Sequence, residues 1–132
     1  MPIGPATLRK AERQNKQLVI GKLFEGEGKS ISAFPLRVVY MLTERNEEAP
    51  ASILVSVPKR HFKRAVKRNR TKRQIREAYR LNKLPLLQAL TDKPYGLVIA
   101  FIWLDKQLHD TEEISLKVNT LLERIIHKLP VE

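Results

Sequence analysis

The run Lys59-Arg60-His61-Phe62-Lys63-Arg64-Ala65-Val66-Lys67-Arg68-Asn69-Arg70-Thr71-Lys72-Arg73-Gln74-Ile75-Arg76-Glu77-Ala78-Tyr79-Arg80-Leu81-Asn82-Lys83 decides how the rest of the chain is read. It holds 12 of the 25 lysines and arginines and one acid, Glu77, for a net charge of +11, the formal charge of the whole protein. Bases and acids balance in the remainder. A surplus this local is a binding surface for a polyanion rather than a general aid to solubility. At about 100° per residue, Thr71, Ile75, Ala78, Tyr79 and Asn82 gather on one side of a helix starting near residues 66–69. Asn69, Lys72, Arg73, Arg76 and Arg80 gather on a neighbouring side. Like charges three and four apart repel, and apart from Glu77 no acid is interleaved to relieve them. A plain solvated face is therefore a poor account of the stripe, and a phosphate backbone is a good one, because arginine forks match phosphate oxygens.

Upstream of this run, Ala51–Val57 reads as a strand that Pro58 stops. Ile53, Val55 and Val57 lie on one side of it, and Ser52, Leu54 and Ser56 on the other. Residues 34–43 read as another strand, with Phe34, Leu36, Val38, Tyr40 and Leu42 on one face and Arg37 on the other. The two are expected to pair antiparallel across the polar loop between them. Residues 7–25 read as a helix capped by Thr7 and ended by Gly26 and Gly28. Ile20 and Phe24, four apart, share a face that on this reading is core.

Downstream, Leu84–Leu90 extends the helical region after a break at Pro85, and Asp92–Gly96 is a turn cluster. Leu97–Leu104 is apolar on both sides, as a central strand covered on both faces would be. Asp110 and Glu113 form a capping-box pattern, opening a helix whose buried stripe is Ile114, Val118, Leu121, Leu122, Ile125 and Ile126. Residues 1–132 are expected to form one domain, with 1–7 and 130–132 frayed. The 42% hydrophobic content is adequate for a modest core, and there is no cysteine for a disulfide or thiolate metal site. No signal or membrane-spanning pattern is seen, so a cytoplasmic protein is expected.

Catalytic patterns are poor. His61, His109 and His127 fall in different elements without metal-ligand spacing. Asp105, Asp110, Glu112 and Glu113 could take a hard cation, but two of them suit the helix cap and dipole. No catalytic residue and no metal ligand is assigned.

Ala65-Val66-Lys67-Arg68-Asn69-Arg70-Thr71-Lys72-Arg73-Gln74-Ile75-Arg76-Glu77-Ala78-Tyr79-Arg80 closely resembles the signature of the bacterial ribonuclease P protein subunit, Ala-Val-x-Arg-Asn-Arg-x-Lys-Arg-x-x-Arg-Glu-x-aromatic-Arg. Ser56-Val57-Pro58-Lys59-Arg60, Leu8-Arg9-Lys10, Leu23-Phe24 and Val38-Val39-Tyr40 extend the resemblance over roughly residues 8–128. It implies an α+β fold like the second domain of ribosomal protein S5. That fold has three helices, a small mixed sheet of three to four strands, and a left-handed βαβ crossover around the basic helix. Ser30–Ala33 is the candidate for the fourth strand.

The resemblance also implies an accessory subunit of a ribonucleoprotein endonuclease. The RNA, using its own Mg2+, removes the 5′ leader of precursor tRNA, and the protein carries no cofactor. Arg68, Asn69, Arg70, Lys72, Arg73, Arg76 and Arg80, with Lys59 and Arg60, would dock on the catalytic RNA. Ile20, Phe24 and Tyr40 would line a cleft for the single-stranded leader, although many members carry an aromatic where this chain has Ile20. The implied partners are the catalytic RNA and the precursor tRNA leader, with neither membrane nor DNA. Two other readings stay open on residues alone. One is a ribosomal or RNA-chaperone protein without an enzyme partner. The other is a stand-alone nuclease using His61 or the acids near Asp110.

Overall fold

The computed structural model describes residues 28–45 and 48–130. The helix expected over 7–25, with Ile20 and Phe24, lies outside the described residues. In chain order the described elements are β1 (Lys29–Ala33), β2 (Leu36–Glu44), β3 (Ala51–Ser56), α1 (Ala65–Asn82), α2 (Leu84–Leu90), β4 (Tyr95–Trp103) and α3 (Thr111–Lys128). Three helices and a four-stranded open mixed sheet make this an α+β fold, and the fourth strand is the one expected near Ser30–Ala33.

The sheet order is β1-β2-β4-β3. The pairs β1–β2 and β2–β4 are antiparallel, while β3 runs parallel to β4. The expected β2–β3 hairpin is therefore wrong, because β4 inserts between these two strands. The reason lies in β4 itself: Tyr95–Trp103 buries side chains on both faces and hydrogen-bonds along both edges, which only a central strand can do. A short loop favours pairing of sequential strands but does not compel it. Gly96 sits where β4 enters. A Cβ there would lie 3.0 Å from the Glu44 carbonyl oxygen and 3.1 Å from that of Pro50. The next amide, Leu97 N, donates to Pro50 O at 2.9 Å. A residue without a side chain lets β4 thread between the two backbones.

Cross-strand rows carry the core. Ile31, Val38, Phe101 and Val55 are successive partners across all four strands, and Tyr40, Ile99 and Ile53 form the next row. These face the helices and join Ile75, Tyr79, Ile114, Val118 and Leu122 in the main cluster. Val39, Val98 and Ala100 are buried on the opposite face, with Met41, Leu54 and Ile102 beside them. Two positions depart from the alternation read along β2. Phe34 lies in the β1–β2 turn, before a cis bond to Pro35, and is exposed; Leu42 is exposed near the strand's end.

α1 and α3 pack together over the sheet. On α1 the buried residues are Thr71, Gln74, Ile75, Ala78 and Tyr79, the expected stripe plus Gln74. Asn82, expected in that stripe, is half-buried and donates to Ala78 O and to Ser115 Oγ on α3. Tyr79 meets Phe101 edge-on, with ring centroids 6.2 Å apart. Helicity stops at Lys83, and Pro85 lies in the first turn of α2, where its missing N–H removes no intrahelical bond. Asp110 caps α3, its Oδ1 accepting from Glu113 N at 2.8 Å. The stripe of α3 buries Ile114, Val118, Leu121, Leu122 and Ile125 as expected, with Ile126 at its margin.

Candidate nucleic-acid interface

Phe62, buried in the core, anchors the approach to α1. A turn precedes it, closed by His61 N donating to Pro58 O at 3.1 Å. Lys59 and Arg60 are exposed on this turn, and Lys63 and Arg64 follow, also exposed. Arg64 is the N-cap in extended conformation, and its side chain makes no capping bond. The first turn of α1 contains no acid. Its free amides and the positive end of its dipole therefore sit among cations, an arrangement that is relieved only by an anion.

Past that end, the side of α1 turned from the core carries the cations. Asn69, Arg70 and Arg73 are exposed, and Arg68, Lys72, Arg76 and Arg80 are half-buried along their stems. The structure thus brings the predicted RNA-facing residues together on one helix and its leading turn. Two of them also hold the protein itself. Arg68 Nη1 donates to Phe62 O at 2.8 Å and to Lys63 O at 2.9 Å, closing the turn ahead of the helix. Arg80 forms a two-pronged pair with Glu77, with Nε to Oε1 at 2.9 Å and Nη2 to Oε2. The hydrogen bond from Arg80 holds the Glu77 carboxyl below its usual range, and that bond raises Arg80 in return. Arg70, Lys72 and Arg73 make no ion pair among the described residues.

A cleft of about 730 Å³ runs beside this face. Arg70, Arg73, Arg76 and Arg80 stand along it with Glu77, and Gln74 and Thr111 lie where α1 meets the start of α3. Sequence reasoning missed Gln74. A polar residue inside a cationic run reads as surface, yet its position beside Ile75 and Ala78 turns it toward α3.

His109 lies just ahead of α3, edge-on to Trp103 with centroids 5.2 Å apart. Its Nε2 is 2.7 Å from Asp105 Oδ2 and its Nδ1 is 3.0 Å from Glu113 Oε2. Burial opposes its charge, but the two carboxylates outweigh burial and raise its pKa above the ordinary histidine value. The same bond from His109 lowers the Asp105 carboxyl. Of the acids considered for a cation, Asp110 caps α3 and Asp105 and Glu113 hold His109, while Glu112 stands in the first turn of α3. Among the described residues no group of three or more such side chains is arranged to hold a metal ion.

Tyr40, the one described member of the expected leader-binding trio, is only 3% exposed. It belongs to the main core and forms part of a second cleft, of about 270 Å³, between β2 and the end of α3. Lys29 and Lys128 flank that cleft. Burial pushes the Tyr40 hydroxyl above its ordinary pKa. As placed, Tyr40 is a wall residue with no open ring face. Among the described residues no helix is long and apolar enough to cross a membrane.

Comparison with known proteins places this geometry. The ribonuclease P family model matches residues 8–126. A curated ribonuclease P protein component from Porphyromonas gingivalis is 44% identical over 128 residues, covering 96% of this chain and 93% of that one. Another from Chlorobaculum tepidum is 37% identical over 86 residues, covering 63% of this chain and 55% of that one. Among solved structures, the RNase P protein of Thermotoga maritima aligns at TM-score 0.62 and 25% identity over 86% of this chain and 96% of its own. The RNase P protein of Staphylococcus aureus aligns at TM-score 0.64 and 24% identity over 88% and 96%, a likeness of fold. With a family match over nearly its whole length and a cationic helix exposed along one side, the chain belongs to the ribonuclease P protein family, RNA-binding subunits of a tRNA-processing ribonucleoprotein endoribonuclease that work with an RNA subunit.

Proposed function

We propose that this protein docks on the catalytic RNA of ribonuclease P through the outer face of α1 and holds the 5′ leader of precursor tRNA on a separate surface. The observation that carries this reading is the exposed cationic side of α1, in which Arg70, Lys72 and Arg73 make no ion pair within the described protein. Asn69, Arg76 and Arg80 continue that surface, and Lys59 and Arg60 lead into it. Arg68 shapes the turn that presents it. Each cation laid on a phosphate releases a counterion, so docking weakens steeply with salt.

Ile20 and Phe24 are the proposed leader contacts. Stacking of a base on an aromatic is worth about 1–3 kcal/mol and tolerates any sequence, which suits a subunit serving many leaders. Tyr40 contributes through the small cleft at the end of α3 rather than as a stacking platform. Hydrolysis is the work of the RNA, with Mg2+ held by the RNA, in the cytoplasm, and the protein makes no use of membrane or DNA.

The test is reconstitution with the cognate RNA subunit. Protein alone should cleave nothing, and protein plus RNA should cleave precursor tRNA at Mg2+ concentrations where RNA alone is slow. Cleavage by the RNA that is unchanged on adding protein would sink the proposal.

A further inference from the structure

Between β3 and α1 the chain crosses a strap, residues 58–64, that holds four exposed cations, Lys59, Arg60, Lys63 and Arg64, and no acid. Cations this close repel one another, and a strap left to itself would spread. Two of its fixings are local: His61 N donates to Pro58 O at 3.1 Å, and Phe62 is buried in the core. The third comes from α1. Arg68 Nη1 donates to Phe62 O at 2.8 Å and to Lys63 O at 2.9 Å, and Arg68 N donates to Arg64 O at 3.3 Å. Nη1 carries two hydrogens, so the two carbonyls take both.

Arg68 therefore differs from the arginines that follow it on the same helix. Arg70 and Arg73 are exposed and make no ion pair among the described residues, so meeting a phosphate disturbs nothing they hold. A phosphate that drew Nη1 of Arg68 away would break two charge-assisted bonds to form its own. It would also leave the carbonyls of Phe62 and Lys63 without their donor. What the clamp secures is the shape of the strap. A charged segment that is loose beforehand loses conformational freedom when it binds, and that loss weakens binding; a segment already held escapes it.

Resting on the reading of α1 as the RNA-docking helix, we infer that Arg68 is a positioning residue for docking on the RNA subunit. It acts through the strap, holding Lys59, Arg60, Lys63 and Arg64 in the arrangement that meets phosphates, and makes no phosphate contact of its own. The two arginines either side of Asn69 then have different tasks, Arg70 facing the RNA and Arg68 facing the protein.

The experiment is a double-mutant cycle on affinity of the full-length protein for the RNA subunit, read at several salt concentrations. Arg68→Met removes the guanidinium and keeps an aliphatic stem, and thermal melting confirms that the variant is folded. Arg68→Gln takes its place should the methionine variant fail to fold. The other arm is a strap variant that combines Lys59→Ala, Arg60→Ala, Lys63→Ala and Arg64→Ala. In the otherwise wild-type protein, Arg68→Met should weaken binding by about tenfold, the order of effect expected when a charged segment must be ordered on binding. In the strap variant the same change should cost less than about twofold, the usual tolerance of such a cycle. There it should also leave the slope of log affinity against log salt unmoved. An arginine lying on a phosphate gives another result: the same loss in both backgrounds, with the slope lowered by about one unit in each. That result overturns the inference, and so does Arg68→Met binding as tightly as wild type in the first arm. A lowered Tm with no coupling to the strap shows a residue of fold stability alone and overturns it too. Failure of wild-type protein to bind the RNA subunit overturns the docking reading itself, a result distinct from tight binding in which Arg68 and the strap contribute additively.

Discussion

Two helices of equal length, α1 and α3, pack against each other over the same sheet and are built on opposite terms. Each has 18 residues. α3 follows every local rule: Asp110 caps it, Glu112 and Glu113 sit in its first turn, and His127 and Lys128 sit in its last. α1 breaks them, with an arginine at the cap position, no capping bond and no acid in its first turn. What holds α1 helical is tertiary burial of Ile75, Ala78 and Tyr79. A helix that violates local preference while its neighbour satisfies it marks the surface kept for another purpose.

The largest test of this contrast is Ile75→Ala. Loss of a fully buried isoleucine should cost about 2–5 kcal/mol. Thermal melting checks it, and an unchanged Tm would show that packing does not carry α1. On the other face, Arg73→Ala should leave Tm nearly unmoved. It should weaken docking on the RNA subunit by about 1.5–3 kcal/mol, as loss of a charged hydrogen bond does, and lower the slope of log affinity against log salt by about one unit. Binding titrations at several salt concentrations read both. Removing the cap of α3 by Asp110→Ala should cost about 0.5–2 kcal/mol of stability. The reverse change on α1, Arg64→Asp, should stabilise the fold by up to about 1 kcal/mol while weakening RNA docking. Opposite signs in melting and binding would sharpen the contrast, and equal signs would break it.

The smallest effect concerns pH. The pKa of His109 is raised in the folded protein, so its contribution is complete below the ordinary histidine value and is lost as pH rises through the folded one. Asp105 is lowered, so its contribution is present above the ordinary carboxylate value and is lost as pH falls through the folded one. The loop ahead of α3 is thus held best between the two. Tm followed across that range in wild type and His109→Gln should differ in slope on the alkaline side.

Much of this was legible in the residues. Helical spacing gave the core stripe of α1 because Ile75, Ala78 and Tyr79 are apolar among charges, and the cap and stripe of α3 stood out for the same reason. The apolar run of β4 pointed to a central strand. Strand order was not legible: nothing in β2 or β3 says that a segment some forty residues downstream will part them, and short loops favour hairpins. Gln74 and the buried Lys83 were missed because polarity predicts exposure, whereas burial at these positions is decided by the neighbouring elements. The face of Tyr40 was read correctly as inward, but alternation alone does not tell a core wall from an open platform.

The late arrival of β4 at the centre of the sheet sets an order on biosynthesis. When α1 first emerges, Phe101, which its Tyr79 meets edge-on, is still to emerge. A nascent chain halted before Gly96 would hold a basic segment with no floor beneath it. The cationic face of α1 is therefore fixed in place only when the polypeptide is nearly finished.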